Sequence, residues 1–217
     1  NKADAGFAID PDGDRLALVS EIGVPLGEEY TLVVAADGYL NERDKPEKFV
    51  VNLSTSIAIE RLAESKGSSV ERSSVGEINV VNKMNEIGSN FGGEGNGGVI
   101  LRDCHLGRDS LVGATMILNR MSQTEETLSQ IYSSLPQFKI VKDKINLKGI
   151  KSDKIIKVVS EKFKDAEKNT LDGVKFIWKD RWVHFRKSNT EPIMRIYAEA
   201  PDQKQAEDLV DKVKEII

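Results

Sequence analysis

The stretch that decides the fold is KFVVNLSTSIAIERLAESKGSSVERSS, residues Lys48–Ser74. Its first seven residues, KFVVNLS, predict a buried strand. The segment SIAIERLAESKG predicts a helix that ends at Gly67, and SSVERSS predicts a second, short strand. A strand, a helix and a strand in succession indicate an α/β layer with a largely parallel sheet.

The same alternation continues on both sides of this stretch. The segment GEEYTLVVAADGYLNE has helical spacing, with one apolar face formed by Leu32, Val33, Ala36 and Leu40. Further helices are predicted for VGEINVVNKMNE and GRDSLVGATMILNRMS, and a short helix leads to Pro136. We therefore predict a three-layer α/β domain with a mixed, largely parallel sheet over residues 25–135.

The pattern changes after Pro136. A short strand at Phe138–Lys142 and a helix at Lys151–Lys164 precede three predicted strands, VKFIW, RWVHFRK and PIMRIYAEA. The last helix has Asp202 as its N-cap and Gln205 three residues later. Residues 136–217 are thus predicted to form a small α+β domain with an antiparallel sheet and helices.

Composition excludes several classes of protein. With 39% hydrophobic and 30% charged residues, the chain is typical of a soluble globular protein. No apolar run approaches the roughly 20 residues that span a membrane, and the first ten residues do not resemble a secretion signal. One cysteine, Cys104, and two histidines exclude an internal disulfide and a Cys/His metal cluster. We expect a cytoplasmic protein with no membrane partner.

Charge is distributed unevenly along the chain. Residues 1–136 carry 12 Lys+Arg against 21 Asp+Glu, whereas residues 137–217 carry 19 against 14. The lysines of the second part are scattered among acidic residues without interleaved aromatic residues, which argues against a nucleic-acid partner.

Three carboxylates, Asp10, Asp12 and Asp14, occupy alternate positions in FAIDPDGDRLALV. Alternate side chains of an extended segment point the same way, so these carboxylates can converge. Two carboxylates about 4 Å apart repel by roughly 4 kcal/mol at an effective dielectric constant near 20. Such a cluster either spreads into water, as a solvated acidic turn, or surrounds a cation. A few carboxylate oxygens suit Mg²⁺.

A calcium loop of the EF-hand type is a further interpretation of this motif, because Glu21 falls at the twelfth position when Asp10 is the first. The sixth position of that loop requires glycine, and here it is Arg15. The flanking segments also predict strands rather than helices. We therefore favour Mg²⁺ over an EF-hand.

A second motif, RKSNTEPIMR, combines two arginines with small polar residues near the end of the chain. Guanidinium groups match phosphate oxygens, and hydroxyl, amide and backbone N–H groups can complete an anion site. The candidate phosphate-binding residues are Arg186, Ser188, Asn189, Thr190 and Arg195. The alternative is a polar hairpin turn. A cation site elsewhere in the chain favours phosphate, because both are parts of a phosphoryl-transfer centre.

A third motif, GGEGNGG at Gly92–Gly98, lets the backbone approach a ligand closely. Glu94 and Asn96 are two residues apart, so both can face one side and bind sugar hydroxyls. A flexible linker or a tight turn is the main alternative.

These three stretches, in this order, resemble the α-D-phosphohexomutase family, which includes phosphoglucomutase, phosphomannomutase and phosphoglucosamine mutase. The family's metal loop, D-x-D-x-D-R, is matched by Asp10, Asp12, Asp14 and Arg15. Its phosphate loop, R-x-S-N-T-E-P, is matched from Arg186 through Pro192. Its sugar loop, G-E-x-S-G, is matched at Gly93, Glu94 and Gly97, with Asn96 in place of serine. The resemblance covers essentially the whole chain.

The resemblance implies a four-domain, Mg²⁺-dependent enzyme that interconverts hexose 1-phosphates and 6-phosphates through a phosphoserine and a bisphosphate intermediate. This chain would hold the tail of the second domain (1–24), the third domain (25–135) and the fourth (136–217). The phosphoserine would lie in N-terminal domains outside this chain, so we expect the chain alone to be inactive. The segment STS at Ser54–Ser56 lacks the His-Asn that follows the family's serine.

Within that scheme, the resemblance implies that Arg15 is a catalytic positive contact beside the transferring phosphate. Asp10, Asp12 and Asp14 would hold Mg²⁺, and Glu94 and Asn96 would hold the sugar. The sequence departs from the family at Asn96 and at Gly98, where the family often has histidine. GEGNGG is similar to the variant loop of some phosphoglucosamine and mixed-specificity mutases, which slightly favours a sugar-promiscuous or glucosamine-type enzyme. A free-standing phosphosugar- or Mg²⁺-binding module and an aspartate-dependent phosphatase stay open as alternatives.

Overall fold

The computed structural model describes residues 2–147, 152–188 and 191–216. The chain divides into two compact units, one ending at Pro136 and the other beginning at Gln137. Within the described ranges, no helix combines the length and the apolar character needed to cross a bilayer.

The first unit begins with a hairpin and continues as an α/β domain. Its elements, in chain order, are β1 (Ala5–Ile9), β2 (Leu16–Ser20), α1 (Glu28–Asn41), β3 (Lys48–Asn52), α2 (Ala58–Ser65), β4 (Ser69–Ser73), α3 (Glu77–Ile87), β5 (Phe91–Glu94), β6 (Gly98–Leu101), α4 (Ser110–Ser122) and α5 (Leu128–Ser134).

The main sheet of this unit has the strand order β4-β3-β5-β6. Strand β3 runs parallel to β4 and to β5, and only β6 is antiparallel to its neighbour. The predicted mixed, largely parallel sheet is confirmed.

Helix α1 differs from its prediction. Its spacing predicted one apolar face, but every residue from Glu29 to Leu40 is buried. A helix that is buried all round lies in the interior of its domain rather than on its surface. Asp37 illustrates how a charge is accommodated there, because its Oδ2 accepts a 2.6 Å hydrogen bond from Nε of the buried Arg120.

The glycine-rich motif is part of the sheet core rather than a linker. Strands β5 and β6 form an antiparallel hairpin, and Gly95, Asn96 and Gly97 lie at its turn. A Cβ at Gly92 would lie 2.7 Å from the carbonyl oxygen of Val50, so a side chain does not fit there. The sequence did not predict strands here because glycine is usually associated with turns. In this structure the glycines instead permit close packing of the backbone.

The hairpin of β1 and β2 is antiparallel and is attached to this domain through Leu16. The Leu16 N–H donates a 3.0 Å hydrogen bond to the Gly97 carbonyl, and Thr31 Oγ1 donates a 2.6 Å bond to the Leu16 carbonyl. The turn of the β1–β2 hairpin is therefore fixed beside the turn of the β5–β6 hairpin.

The second unit is a small α+β domain, as predicted. Its elements are β7 (Lys139–Asn146), α6 (Ser152–Lys162), β8 (Glu167–Asn169), β9 (Val174–Ile177), β10 (Trp182–Lys187), β11 (Ile193–Ala200) and α7 (Gln203–Ile216). The sheet order is β7-β11-β10-β9-β8, and all neighbours are antiparallel.

One face of this sheet packs against α6 and α7, with Val159, Phe185 and Val213 among the buried core residues. The predicted N-cap of α7 is confirmed, because Asp202 Oδ1 accepts a 2.9 Å hydrogen bond from the Gln205 N–H. One predicted strand was too short, and one strand was not predicted. Strand β7 continues beyond Lys142 to Asn146, and β8 was missed because its sequence, EKN, has no apolar residue.

Candidate functional site

The acidic motif forms the turn between β1 and β2. One carboxylate oxygen from each of Asp10, Asp12 and Asp14 lies within 4.8 Å of the other two. Gly13 has φ of 77°, a conformation that favours glycine, and its N–H donates a 3.1 Å hydrogen bond to the Asp10 carbonyl. The turn geometry thus brings the three carboxylates together. We call residues 10–15 the metal loop.

The donor set of the metal loop fits Mg²⁺. It consists of carboxylate oxygens alone, which hard divalent cations prefer. Asp12 is exposed and makes no hydrogen bond or ion pair with another described residue. Its carboxylate is therefore available to a cation.

Arg15 contacts the carboxylates of its own loop. Its Nε lies 2.6 Å from Asp10 Oδ2 and 3.3 Å from Asp14 Oδ1, and its backbone N–H donates a 3.0 Å bond to Asp10 Oδ1. The side chain is 46% exposed. Within the described part of the chain, its terminal guanidinium nitrogens have no bonding partner, so they can contact a ligand.

The two partly buried carboxylates of the loop differ in pKa. Desolvation raises the pKa of Asp10, but hydrogen bonds from the backbone and side chain of Arg15 outweigh it and lower the pKa to about 2. Desolvation raises the pKa of Asp14, and repulsion from Asp10 and Asp12 adds to this, so its pKa stays above the usual value despite a nearby arginine, Arg108. Asp10 is thus the more persistently ionised of the two.

A cavity of about 220 Å³ opens beside the metal loop. Asn96 lines it together with Asp10 and Arg15. The remaining lining residues are Ala8, Leu16, Ala17 and Glu28. The structure therefore brings one candidate sugar-binding residue next to the candidate metal site.

The other candidate sugar-binding residue, Glu94, is buried at the end of β5. It is 3% exposed and does not line this cavity. Its Oε1 accepts hydrogen bonds from Asn52 Nδ2 at 2.6 Å and from the Gly76 N–H at 2.8 Å. Glu94 Oε1 is therefore bound to protein groups from two other segments.

Arg108 was missed by the sequence analysis. It lies just before α4, and its side chain reaches carboxylates of three separate segments: Asp14 Oδ2, Glu94 Oε2 at 2.7 Å and Glu77 Oε2 at 3.1 Å. These partners are 94, 14 and 31 residues away in sequence. No local pattern signals such a contact, because it depends on how the sheet brings distant loops together.

The phosphate motif lies at the end of β10 and the start of β11. Arg186 forms an ion pair with Asp172 at 3.0 Å, and its buried Nε has no hydrogen-bond partner among the described residues. Ser188 is buried, and its Oγ accepts a 3.3 Å hydrogen bond from the Glu191 N–H. Asn189 and Thr190 lie outside the described residues.

A row of cations crosses this sheet. Arg195 lies directly opposite Arg186 on one side and Lys144 on the other. A cavity of about 340 Å³ lies beside the row and is lined by Arg195, Lys142, Lys144, Asp143, Glu191, Ile193 and Tyr197. Lys144 was not a sequence candidate, because the predicted strand ended at Lys142.

His184 is a buried sheet-face residue. Its Nε2 lies 2.6 Å from the Asp172 carbonyl oxygen. Burial lowers its pKa to about 4, and the positive charges of Lys175 and Arg186 act in the same direction. It is neutral near pH 7, which fits a structural role. Cys104 and His105 lie in an exposed loop.

Family models match both units. Residues 27–138 match phosphoglucomutase/phosphomannomutase, alpha/beta/alpha domain III, and residues 141–216 match the C-terminal domain of the same family.

Relatives and solved structures agree with these models. A probable phosphoglucosamine mutase from Methanopyrus kandleri is 30% identical, over 99% of this chain and 48% of its own length. A phosphoglucomutase/phosphomannomutase from Thermococcus kodakarensis is 33% identical, over 96% of this chain and 46% of its own length.

Among solved structures, a phosphoglucomutase/phosphomannomutase family protein from Burkholderia thailandensis matches with a TM-score of 0.83 and 24% identity, over 100% of this chain and 46% of that one. The chain spans about half the length of the curated relatives it matches. It belongs to the phosphoglucomutase/phosphomannomutase family, the α-D-phosphohexomutases.

Proposed function

We propose that the protein containing this chain is a phosphohexomutase that interconverts hexose 1-phosphates and 6-phosphates. The observation that carries the proposal is the convergence of Asp10, Asp12 and Asp14 beside a cavity lined by Asn96. A cation site next to a polar side chain that can bind a sugar hydroxyl suits the transfer of a phosphoryl group on a sugar.

Glucosamine phosphate is the substrate that we propose first. The relative from Methanopyrus kandleri carries the name probable phosphoglucosamine mutase, and one from Methanococcus vannielii is named phosphoglucosamine mutase. The Thermococcus kodakarensis relative is named for glucose and mannose phosphates, so both belong in the same test.

The metal loop would act at the transferring phosphate. Mg²⁺ bound there would offset the negative charge of the phosphoryl group. Arg15 Nε donates a hydrogen bond to Asp10 Oδ2. The two terminal nitrogens of the Arg15 guanidinium can therefore contact a phosphate oxygen. Arg15 would thereby stabilise and orient the group that moves.

The second unit would bind the phosphate that does not react. Arg186 and Arg195 supply cationic donors, and Ser188 with Asn189 and Thr190 would complete the site as the family resemblance implies. Fixing this phosphate determines which end of the sugar is presented for reaction.

The phosphate carrier is proposed to be a serine elsewhere in the protein. The chain's own STS segment is an unsuitable carrier, because Ser54, Thr55 and Ser56 are all buried. Thr55 Oγ1 bonds to Asn52, and Ser56 Oγ accepts a 3.0 Å hydrogen bond from the Ala58 N–H.

The test is turnover by the full-length protein. With Mg²⁺ and a catalytic amount of hexose bisphosphate, ³¹P NMR should show interconversion of glucosamine 6-phosphate and 1-phosphate, with glucose and mannose 1-phosphates as comparison substrates. No interconversion of any of the three would overturn the proposal.

The same assay on residues 1–217 alone tests the location of the carrier. We expect no interconversion. Isomerisation by these residues alone would refute a carrier outside them, and release of inorganic phosphate would instead indicate a phosphatase.

A further inference from the structure

We propose that Arg108 is a positioning residue that fixes the metal loop against the glycine-rich hairpin, so that the cation site is preformed before ligands arrive. The inference rests on the proposed function, because it concerns the same site. It assigns Arg108 no contact with substrate.

The first argument is the distribution of its contacts. The two terminal nitrogens of Arg108 bond to different partners, Nη2 to Asp14 Oδ2 and Nη1 to Glu94 Oε2 at 2.7 Å. Asp14 belongs to the metal loop, and Glu94 ends β5. Since a guanidinium is planar and rigid, these two bonds fix the distance and angle between the two carboxylates.

The second argument is the anchoring of Arg108 itself. Glu77 Oε2 accepts hydrogen bonds from both the backbone N–H and the Nε of Arg108, each at 3.1 Å. The next residue, Asp109, caps α4 and donates its N–H to the Val99 carbonyl. Arg108 is therefore held at both its backbone and its side chain, and 18% of the side chain is exposed.

The third argument is the space that the β5–β6 hairpin leaves for the Arg108 side chain. A Cβ at Gly98 would lie 2.2 Å from Cδ of Arg108 and 2.9 Å from its Cγ. The aliphatic part of Arg108 thus occupies the place where a side chain at position 98 would be. A substitution at Gly98 displaces Arg108 without changing any charge, which provides an independent test.

Removal of Arg108 should have opposite effects on metal affinity, depending on whether the residue acts by orienting Asp14 or only by its charge. A positive charge bonded to Asp14 repels a divalent cation, so its removal alone would tighten metal binding. If Arg108 instead orients Asp14, its removal loosens the ligand and weakens binding, typically by 10–100-fold for groups that hold a metal ligand.

The experiment measures Mg²⁺ and Mn²⁺ affinity of the full-length protein by calorimetry, without substrate. We expect Arg108→Lys, Arg108→Gln and Gly98→Ala each to weaken binding by about 10-fold or more. Arg61→Lys is the matched control, because Arg61 forms an exposed pair with Glu64 on α2, and it should bind as the wild type does. Circular dichroism establishes that each variant is folded.

A second measurement needs no metal. In the metal-free protein, hydrogen exchange should become faster in Arg108→Lys and in Gly98→Ala for the N–H groups that tie the metal loop to its surroundings. These are the Leu16 N–H, bonded to Gly97, and the Ser110 N–H, bonded to Gly13.

The outcomes separate the two proposals. Unchanged affinity in Arg108→Lys with tighter binding in Arg108→Gln, or unchanged exchange in both variants, overturns the positioning role. Absence of metal binding by the wild-type protein would instead refute the proposed cation site, while the exchange measurement would still decide whether Arg108 fixes the loop.

Discussion

Arg195 lies directly opposite Arg186 on the neighbouring antiparallel strand. Residues paired in this way have Cβ atoms about 4.5–5.5 Å apart, and like charges at such positions are destabilising. Lys144 extends the row on the other side of Arg195, and Asp172 forms an ion pair with Arg186. Binding of an anion would reduce the repulsion between these positive charges. The row should therefore lower the stability of the free protein while it favours ligand binding, and the two effects can be measured separately.

Neutralising the middle of this row should stabilise the free protein and weaken ligand binding. We expect Arg195→Gln to raise the free energy of unfolding by about 0.2–1 kcal/mol, the range for cross-strand charge pairs. The same variant should bind hexose phosphate more weakly by calorimetry. Lys187→Gln is the control, since Lys187 is paired with Met194 and points to the opposite sheet face. A less stable variant with undiminished affinity would contradict the anion site.

Asp12 and Asp10 should behave differently when neutralised. Asp12→Asn should reduce Mg²⁺ affinity by about 10-fold or more with a change in unfolding free energy within about 0.5 kcal/mol, because Asp12 has no bonding partner among the described residues. Asp10→Asn should reduce both affinity and stability, because it weakens the contacts with Arg15. Calorimetry and urea unfolding measure the two effects. Equal stability of the two variants would contradict this assignment.

Gly97 should tolerate no side chain. Its φ is 90°, and a Cβ there would lie 2.3 Å from the Leu16 carbonyl oxygen. We expect Gly97→Ala to cost about 2 kcal/mol or more, from backbone strain together with the clash. Gly67→Ala is the control: φ is 70° but the space is open, so only the conformational cost of about 1 kcal/mol applies. Urea unfolding of both variants measures the difference, and equal losses would contradict the close approach of the two loops.

Glu21 should make the first unit sensitive to acid. Its carboxylate accepts hydrogen bonds from the Ser129 Oγ and N–H, and these lower its pKa from 4.5 to about 2. A lowered folded-state pKa contributes stability above pH 4.5 that is lost as the pH falls towards 2. The stability difference between wild type and Glu21→Gln should therefore shrink over this range in urea titrations. The exposed Glu125→Gln is the control, and a Glu21 difference independent of pH would refute the prediction.

The sequence was informative where structure depends on neighbouring residues. The Asp202 cap, the strand–helix–strand unit around α2 and the turn that gathers the three aspartates all follow from local rules. The contact of Glu21 with Ser129 likewise agrees with rejecting the calcium-loop interpretation, because this carboxylate is engaged with α5.

Contacts between distant segments could not be predicted from the sequence. The carboxylate of Glu94 is bound by Asn52, Gly76 and Arg108, from three other parts of the chain, and no local pattern predicts these partners. Lys144 was missed because its partner is defined only by the register of β7 on β11. Periodicity identified α1 as a helix but not its complete burial, since burial depends on what packs against the remaining faces.

The attachment of Leu16 to both Gly97 and Thr31 has a consequence for how a ligand is handled. Because the β1–β2 turn is bonded to the rim of the sheet and to an interior helix, its thermal fluctuations should follow those of the domain core. Under the proposed function, a sugar that presents first one end and then the other for phosphorylation would reorient beside a turn that stays in place, and the reorientation would be a motion of the ligand.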